Sequence, residues 1–158
     1  MADRKKDYDA VVATPLGRLG IEAATALTNI DFVSARTPLK KARTPVANKV
    51  CTQLKAYFAD SHARFDLPLA AAGSDFQQRV WRALRKIPSG APRNYGDLAK
   101  RLKSAPRAVG GACRANPIPI VVPCHRVVAA TGLGGFMGAT RGRAMDIKRW
   151  LLKQEAAG

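Results

Sequence analysis

Cys124 and His125 stand side by side at the end of the apolar run Ile118-Pro119-Ile120-Val121-Val122-Pro123, just after Asn116-Pro117. A thiol is a useful nucleophile near neutral pH only as its thiolate, which calls for a neighbouring base and a basic setting, and His125 and Arg126 are residues of those kinds. The pair alone is a weak signal, because a buried structural cysteine beside a histidine is the ordinary alternative. Shortly afterwards comes Ala129-Ala130-Thr131-Gly132-Leu133-Gly134-Gly135-Phe136-Met137-Gly138. Its glycines do not follow a strand-to-helix phosphate motif, which argues against a nucleotide-cofactor loop; a flexible wall presenting Phe136 and backbone amides to a flat ligand fits better. Cys51, Cys113 and Cys124 are odd in number and lack Cys-x-x-Cys spacing, and His62 and His125 lie far apart. Neither a disulfide framework nor a tetrahedral metal site is expected.

The elements that must position Cys124 lie on both sides of it. Ser74-Asp75-Phe76-Gln77 is a capping box that opens a helix with Phe76, Val80, Leu84 and Ile87 on one face, and Pro88-Ser89-Gly90 stops it. A short helix over 96–102, burying Leu98, Ala99 and Leu102, is followed by a tight connection at 103–105. A further helix runs from Pro106 to Ala115. Two short helices joined by a few residues have the outline of a helix-turn-helix. In the second of them Ala108, Gly110, Gly111, Ala112 and Ala115 are small, while Arg107 and Arg114 share one face. A helix-interior glycine costs about 1 kcal/mol relative to alanine, so Gly110-Gly111 needs a reason. Close packing on another helix and close approach to DNA explain it equally well; the arginines would contact phosphate or stand in a base stack, or simply be solvated. The last helix, about 143–155, has Ile147, Trp150, Leu151 and Gln154 at helical spacing and brings Glu155 as a candidate partner for His125. An acid at that end opposes the helix dipole.

Before the compositional change at Ala70-Ala71-Ala72-Gly73 the pattern differs. Residues 10–13 and 19–23 read as strands about the turn Thr14-Pro15-Leu16-Gly17, 30–34 as a third, 36–45 as a basic loop, and 46–58 as a closing helix with Val50, Leu54, Tyr57 and Phe58 inward. The expected division is therefore residues 1–69, a small α/β domain, and residues 70–158, a mostly helical one. The chain of 158 residues has a net charge of +16, with 16 basic and 4 acidic side chains in 67–158 against 11 and 7 in 1–66. The second part is the expected contact for a polyanion, with nucleic acid first among them. Met1–Asp9 is charged and lacks the apolar core of a signal peptide, and no run is long enough to span a bilayer, which reads as a reduced, cytoplasmic protein.

Pro123-Cys124-His125-Arg126-Val127, with Arg107-Ala108-Val109-Gly110-Gly111-Ala112 and Asn116-Pro117 ahead of it, resembles the signature of the O6-alkylguanine-DNA alkyltransferases. The likeness extends in order from about Tyr8 to Glu155. It implies a ribonuclease H-like first domain with a small mixed sheet and helix, then a helical domain with a helix-turn-helix. It also implies a partner, double-stranded DNA containing O6-alkylguanine, bound through the minor groove by the 106–115 helix. Arg107 matches the arginine that replaces the flipped base. Cys124 would attack the alkyl carbon, with His125 taking the thiol proton through a water and Glu155 orienting the ring. Tyr95 matches a residue that bonds the base and assists protonation of the leaving guanine, and Asn116 one that ties the recognition helix to the active-site turn. The carbonyls of Cys124 and Val127 would read the exocyclic amine and the Met137 amide would meet O6, with Phe136 standing where the family often has tyrosine. A thioether product with nothing to remove the alkyl group implies a single turnover; no cofactor or metal is expected, and recognition of one lesion needs only a monomer.

Three other classes fit the residues less well. An alkyltransferase-like protein that binds lesions without repairing them would lack the cysteine, and a helix-turn-helix regulator would leave Cys124-His125 without purpose. A cysteine hydrolase would need an oxyanion hole that the sequence does not indicate.

Overall fold

The computed structural model describes residues 6–158, so the reading of Met1–Asp9 falls for its first five residues outside them. The chain divides into two compact units, one ending at Ala72 and the other running Gly73–Gly158, three residues beyond the expected boundary. No helix among the described residues is long and apolar enough to cross a membrane.

In the first unit β1 (Ala10–Thr14), β2 (Gly17–Ala23) and β3 (Leu27–Val33) form an antiparallel meander in the order β1-β2-β3. Within its three strands the sheet is not mixed: its parallel pairing is the isolated bridge Leu27–Leu69. Short connections explain this, since adjacent strands joined by two or three residues can only run antiparallel. The third strand begins three residues before its expected start, and the basic segment after it adds a bridge from Lys40 to Val11. α1 (Pro45–Ala59) is capped by Thr44, whose hydroxyl accepts from Ala47 N–H, and buries Ala47, Val50, Leu54 and Tyr57.

The second unit is helical. Ser74 and Gln77 make the full capping box of α2 (Asp75–Arg85), whose buried residues are Val80, Trp81 and Leu84. Phe76 is only half-buried, because Trp81 takes the inner face and donates Nε1–H to the Ala112 carbonyl at 2.9 Å. Then come β4 (Arg93–Asn94), α3 (Tyr95–Arg101), α4 (Pro106–Arg114), a 3-10 turn Cys124–Arg126, β5 (Val127–Val128) and α5 (Arg143–Ala157). β4 and β5 pair in parallel through Arg93–Val127 and Asn94–Val128, which fixes the start of α3 beside the cysteine turn. α3 begins one residue earlier than its spacing indicated, on an Asn94 side-chain cap, and Leu102 beyond it is half-buried. α4 packs on both α2 and α3.

Candidate active site

Cys124 is reached through a run of turns. Ile118, Ile120, Val121 and Val122 are all buried, and the amides of Val121, Val122 and Cys124 close on the carbonyls of Pro119, Ile118 and Val122. Ile120 has φ 74°, a conformation that costs a β-branched residue of the order of 1–3 kcal/mol, so strain is held in the run four residues before Cys124. Asn116 spans this run, donating Nδ2–H to the Val122 carbonyl at 2.8 Å and accepting from the Ile118 amide at 2.9 Å. Thus the end of α4 and the approach to Cys124 are joined by one side chain.

Cys124 is 5% exposed and His125 fully buried. Burial pushes the Cys124 thiol above its usual range; the Asn116 side chain, the Lys148 charge and the amides of Cys124 and His125 work in the other direction. Burial likewise pushes His125 below the ordinary imidazole value, partly offset by Glu155. The resting pair is therefore a thiol and a neutral imidazole. His125 Nε2 lies 2.8 Å from Glu155 Oε2. With the proton on Nε2 donated to that carboxylate, the lone pair is on Nδ1, which has no hydrogen-bond partner among the described residues.

The partnership of His125 and Glu155 anticipated from sequence is thus present, and Arg126 completes it. Its Nε and Nη2 donate to the two Glu155 oxygens at 2.9 and 3.0 Å, while Nη1 donates to the Ile87 carbonyl at 2.7 Å. A carboxylate 2% exposed needs such compensation, since an unpaired buried charge costs several kcal/mol.

Lys148 was not foreseen. It is fully buried on α5, and its Nζ donates to the carbonyls of Val127, Leu133 and Gly135 at 2.7, 2.6 and 2.8 Å. Burial lowers its pKa to about 8, opposed by Cys124 and Cys113. The buried face of α5 is Met145, Ile147, Lys148, Leu151 and Glu155, with Trp150 and Gln154 only half-buried. Lys148 precedes Glu155 by seven residues, two helical turns, so the helical period places it on the same face as the candidate acid.

The glycine-rich loop is accordingly a tied wall rather than a flexible one. Phe136 and Ala139 exchange two backbone hydrogen bonds around Met137 (φ 53°) and Gly138 (φ 80°), the signature of a type I′ turn. Phe136 is buried, and Met137, 41% exposed, occupies the tip. At Gly134 (φ 70°) a Cβ would lie 2.9 Å from the Tyr95 ring, so the loop can close over that ring only with glycine there. Burial, and then Cys113 and Cys124, push Tyr95 up to about 12, which keeps it a phenol donor.

These parts enclose a cavity of about 460 Å³ lined by Tyr95, Cys113, Cys124 and Phe136 within, and by Arg107, Gly110, Arg114 and Met137 among others at its margin. Val127 is buried and does not line it; its carbonyl is bonded to Lys148. The Cys124 carbonyl accepts the Val127 amide. Cys113, seen in the sequence only as a spare cysteine, is a second thiol in the cavity, pushed up to about 12 by burial and by Cys124.

On α4 Arg107, Ala108, Gly111, Arg114 and Ala115 are exposed, while Val109, Ala112 and Cys113 are buried. A Cβ on Gly110 or Gly111 would meet nothing within 4 Å. The close-packing explanation for the glycine pair is therefore overturned: no neighbouring helix comes near enough to require it. Among the described residues no group of three or more His, Cys, Asp or Glu is arranged to hold a metal.

Cys124 thus lines a cavity whose margin carries Arg107 and Arg114, with His125 next to it in the chain. Residues 75–157 match the family description "6-O-methylguanine DNA methyltransferase, DNA binding domain". A methylated-DNA–protein-cysteine methyltransferase of Methanosarcina acetivorans is 38% identical over 95% of this chain and 99% of its own. One from Mycolicibacterium paratuberculosis is 42% identical over 91% and 89%. Among solved structures, a Mycobacterium tuberculosis OGT in complex with DNA superposes with TM-score 0.77 at 39% identity, covering 93% of this chain and 91% of that one. The O6-methylguanine DNA methyltransferase of Methanococcus jannaschii does so with TM-score 0.64 at 27% identity, over 94% and 93%. This chain belongs to the methylated-DNA–protein-cysteine methyltransferase family.

Proposed function

We propose that the protein repairs duplex DNA by moving the alkyl group of an O6-alkylguanine directly onto its own Cys124, once per molecule. The observation that carries the assignment of Cys124 is its place in the cavity with His125, Glu155 and Arg126 bonded in series behind it. The proton of the thiol passes through one water to His125 Nδ1, while Nε2–H stays on Glu155. The thiolate attacks the alkyl carbon, the carbon–O6 bond breaks, and a thioether forms. Guanine departs as its anion, stabilised by a hydrogen bond donated by the Tyr95 hydroxyl, and takes up its proton from water, while His125 returns the thiol's proton to solvent. No group in the cavity is suited to cleave a thioether, which is the reason for a single turnover.

In this reading α3 and α4, joined by 102–105, act as a helix-turn-helix with α4 in the minor groove. Its exposed stripe of Ala108, Gly111 and Ala115 supports close backbone approach, because side chains there would hold the helix off the groove floor. Arg107 fills the place of the flipped base and Arg114 contacts phosphate, offsetting an unstacking cost of a few kcal/mol. Phe136 stacks on the base and the Met137 amide meets O6. The carbonyl of Cys124 reads the exocyclic amine; Val127 acts on the base only indirectly, by holding Lys148. One lesion needs one monomer.

Intact-protein mass after incubation with a short duplex carrying one O6-methylguanine tests this. The expected result is one added methyl per molecule, mapped to the Cys124 peptide and saturating there. Tight lesion binding with no mass change would overturn it in favour of a damage-recognition protein.

A further inference from the structure

The second unit carries another cleft, of about 370 Å³, which shares no lining residue with the cavity above Cys124. Arg79 and Arg82 reach it from α2 and Lys86 from the C-cap of that helix, Arg93 from β4 and Arg101 from α3, against the acid Asp97. The first three are spaced three and four apart, and Lys86 keeps helical backbone angles, so they lie on one face. Two of the five cations are anchored to the fold: Arg79 donates to the Leu102 carbonyl and Arg93 to the Ala91 carbonyl, both at 2.9 Å. Arg82, Lys86 and Arg101 are exposed and form no ion pair among the described residues. Cations crowded about one groove repel each other, a cost that a polyanion removes. The groups are spread over three elements and held at the surface, which suits successive phosphates along a strand better than one small buried anion. The lesion contact on α4 uses none of them.

We propose that this cleft binds the phosphate backbone of a second segment of duplex DNA, so that one molecule held at a lesion bridges to another stretch. The proposal rests on the α4 contact described above. Its test uses the triple variant Arg82→Gln, Lys86→Gln, Arg101→Gln, which spares the two anchored arginines. A short lesion duplex is immobilised, protein is bound to it, and capture of a labelled undamaged duplex from solution is measured against salt. Wild-type protein captures it. The variant captures at least about tenfold less, with the logarithmic salt slope smaller by about 3 for three lost phosphate contacts, and methylates Cys124 at the wild-type rate. Equal capture by the variant, or none by the wild type, overturns the second contact. Slower methylation in the variant also overturns it, because the cleft then holds the lesion duplex itself. Absence of methylation in the wild type is read by mass in the same samples and counts against the repair reading instead.

Discussion

The two units each place a cysteine at a cavity, and they differ in which groups act on the thiol. Cys51 is half-buried on α1, at a cavity lined by Val12, Pro15, Leu54 and Phe58 together with Thr14, Asn48, Thr52 and Lys55. Burial pushes its thiol up, and a backbone hydrogen bond at Cys51 is what opposes this. Cys124 is more deeply buried, yet Asn116, Lys148 and two amides all act to favour its thiolate. Exposure alone would rank the wrong cysteine first; what makes a thiol reactive is the set of dipoles and charges that stabilise its anion. The buried polar groups of the two units differ in the same way. In the first, Asp9 accepts from the Ala23 amide and from Arg43, both at 2.7 Å, and serves to join strand and loop. In the second, His125, Glu155 and Lys148 lie in the interior within reach of the nucleophile's turn.

Exchanging the two cysteines for serine gives the sharpest contrast. Cys124→Ser should abolish alkyl transfer, read as absence of mass gain on lesion DNA, and leave DNA affinity in place, whereas Cys51→Ser should leave the transfer rate within about twofold. Glu155→Gln should follow in size. It leaves Arg126 without its anion and makes His125 and Arg126 compete for the one oxygen that still accepts, so single-turnover transfer should slow by about 100-fold and unfolding stability fall by roughly 3–5 kcal/mol. Lys148→Met deprives three buried carbonyls of their donor. About 3 kcal/mol of stability should be lost, and amide hydrogen exchange in 133–138 should quicken while the first unit is unchanged.

Smaller effects separate the units by pH. Burial holds folded His125 below its ordinary value of 6.5, so between that folded value and 6.5 the unfolded chain binds the proton that the folded one refuses. Stability of the second unit should therefore fall as pH drops below about 6.5, by up to about 1.4 kcal/mol per pH unit, and His125→Asn should remove that slope in chemical denaturation. Asp9 loses stability in the same direction at lower pH, for a different reason. Its bonds to Ala23 and Arg43 outweigh burial and hold its carboxyl below 3.8. The stability it contributes is complete above that value and lost as pH falls through the folded one. Asp9→Asn should cost about 1 kcal/mol, with no change in alkyl transfer.

Much of the site was legible because its parts are local or periodic. Cys124-His125 is adjacent in sequence, the capping box at Ser74 announces α2, and helical spacing brings Glu155 to the inner face of α5. Lys148 obeyed the same spacing and was passed over because lysine reads as a surface residue; its burial depends on three carbonyls from two segments that sequence does not show to be neighbours. Trp81 displaced Phe76 from the α2 core for a similar reason, since its indole N–H had to find the Ala112 carbonyl.

By itself the sequence determined the kinds of group available, the two-part division, the helices by their period and caps, and the order in which a nucleophile, a base and a carboxylate occur along the chain. Tertiary structure decided which of three cysteines has Asn116, Lys148 and two amides opposing the effect of its burial, that Arg126 and Lys148 hold the carboxylate and the loop, and that Gly110 and Gly111 face open space. These are consequences of distance between residues far apart in sequence. The energies involved, desolvation of a buried charge and its recovery by hydrogen bonds, exist only when the chain is folded.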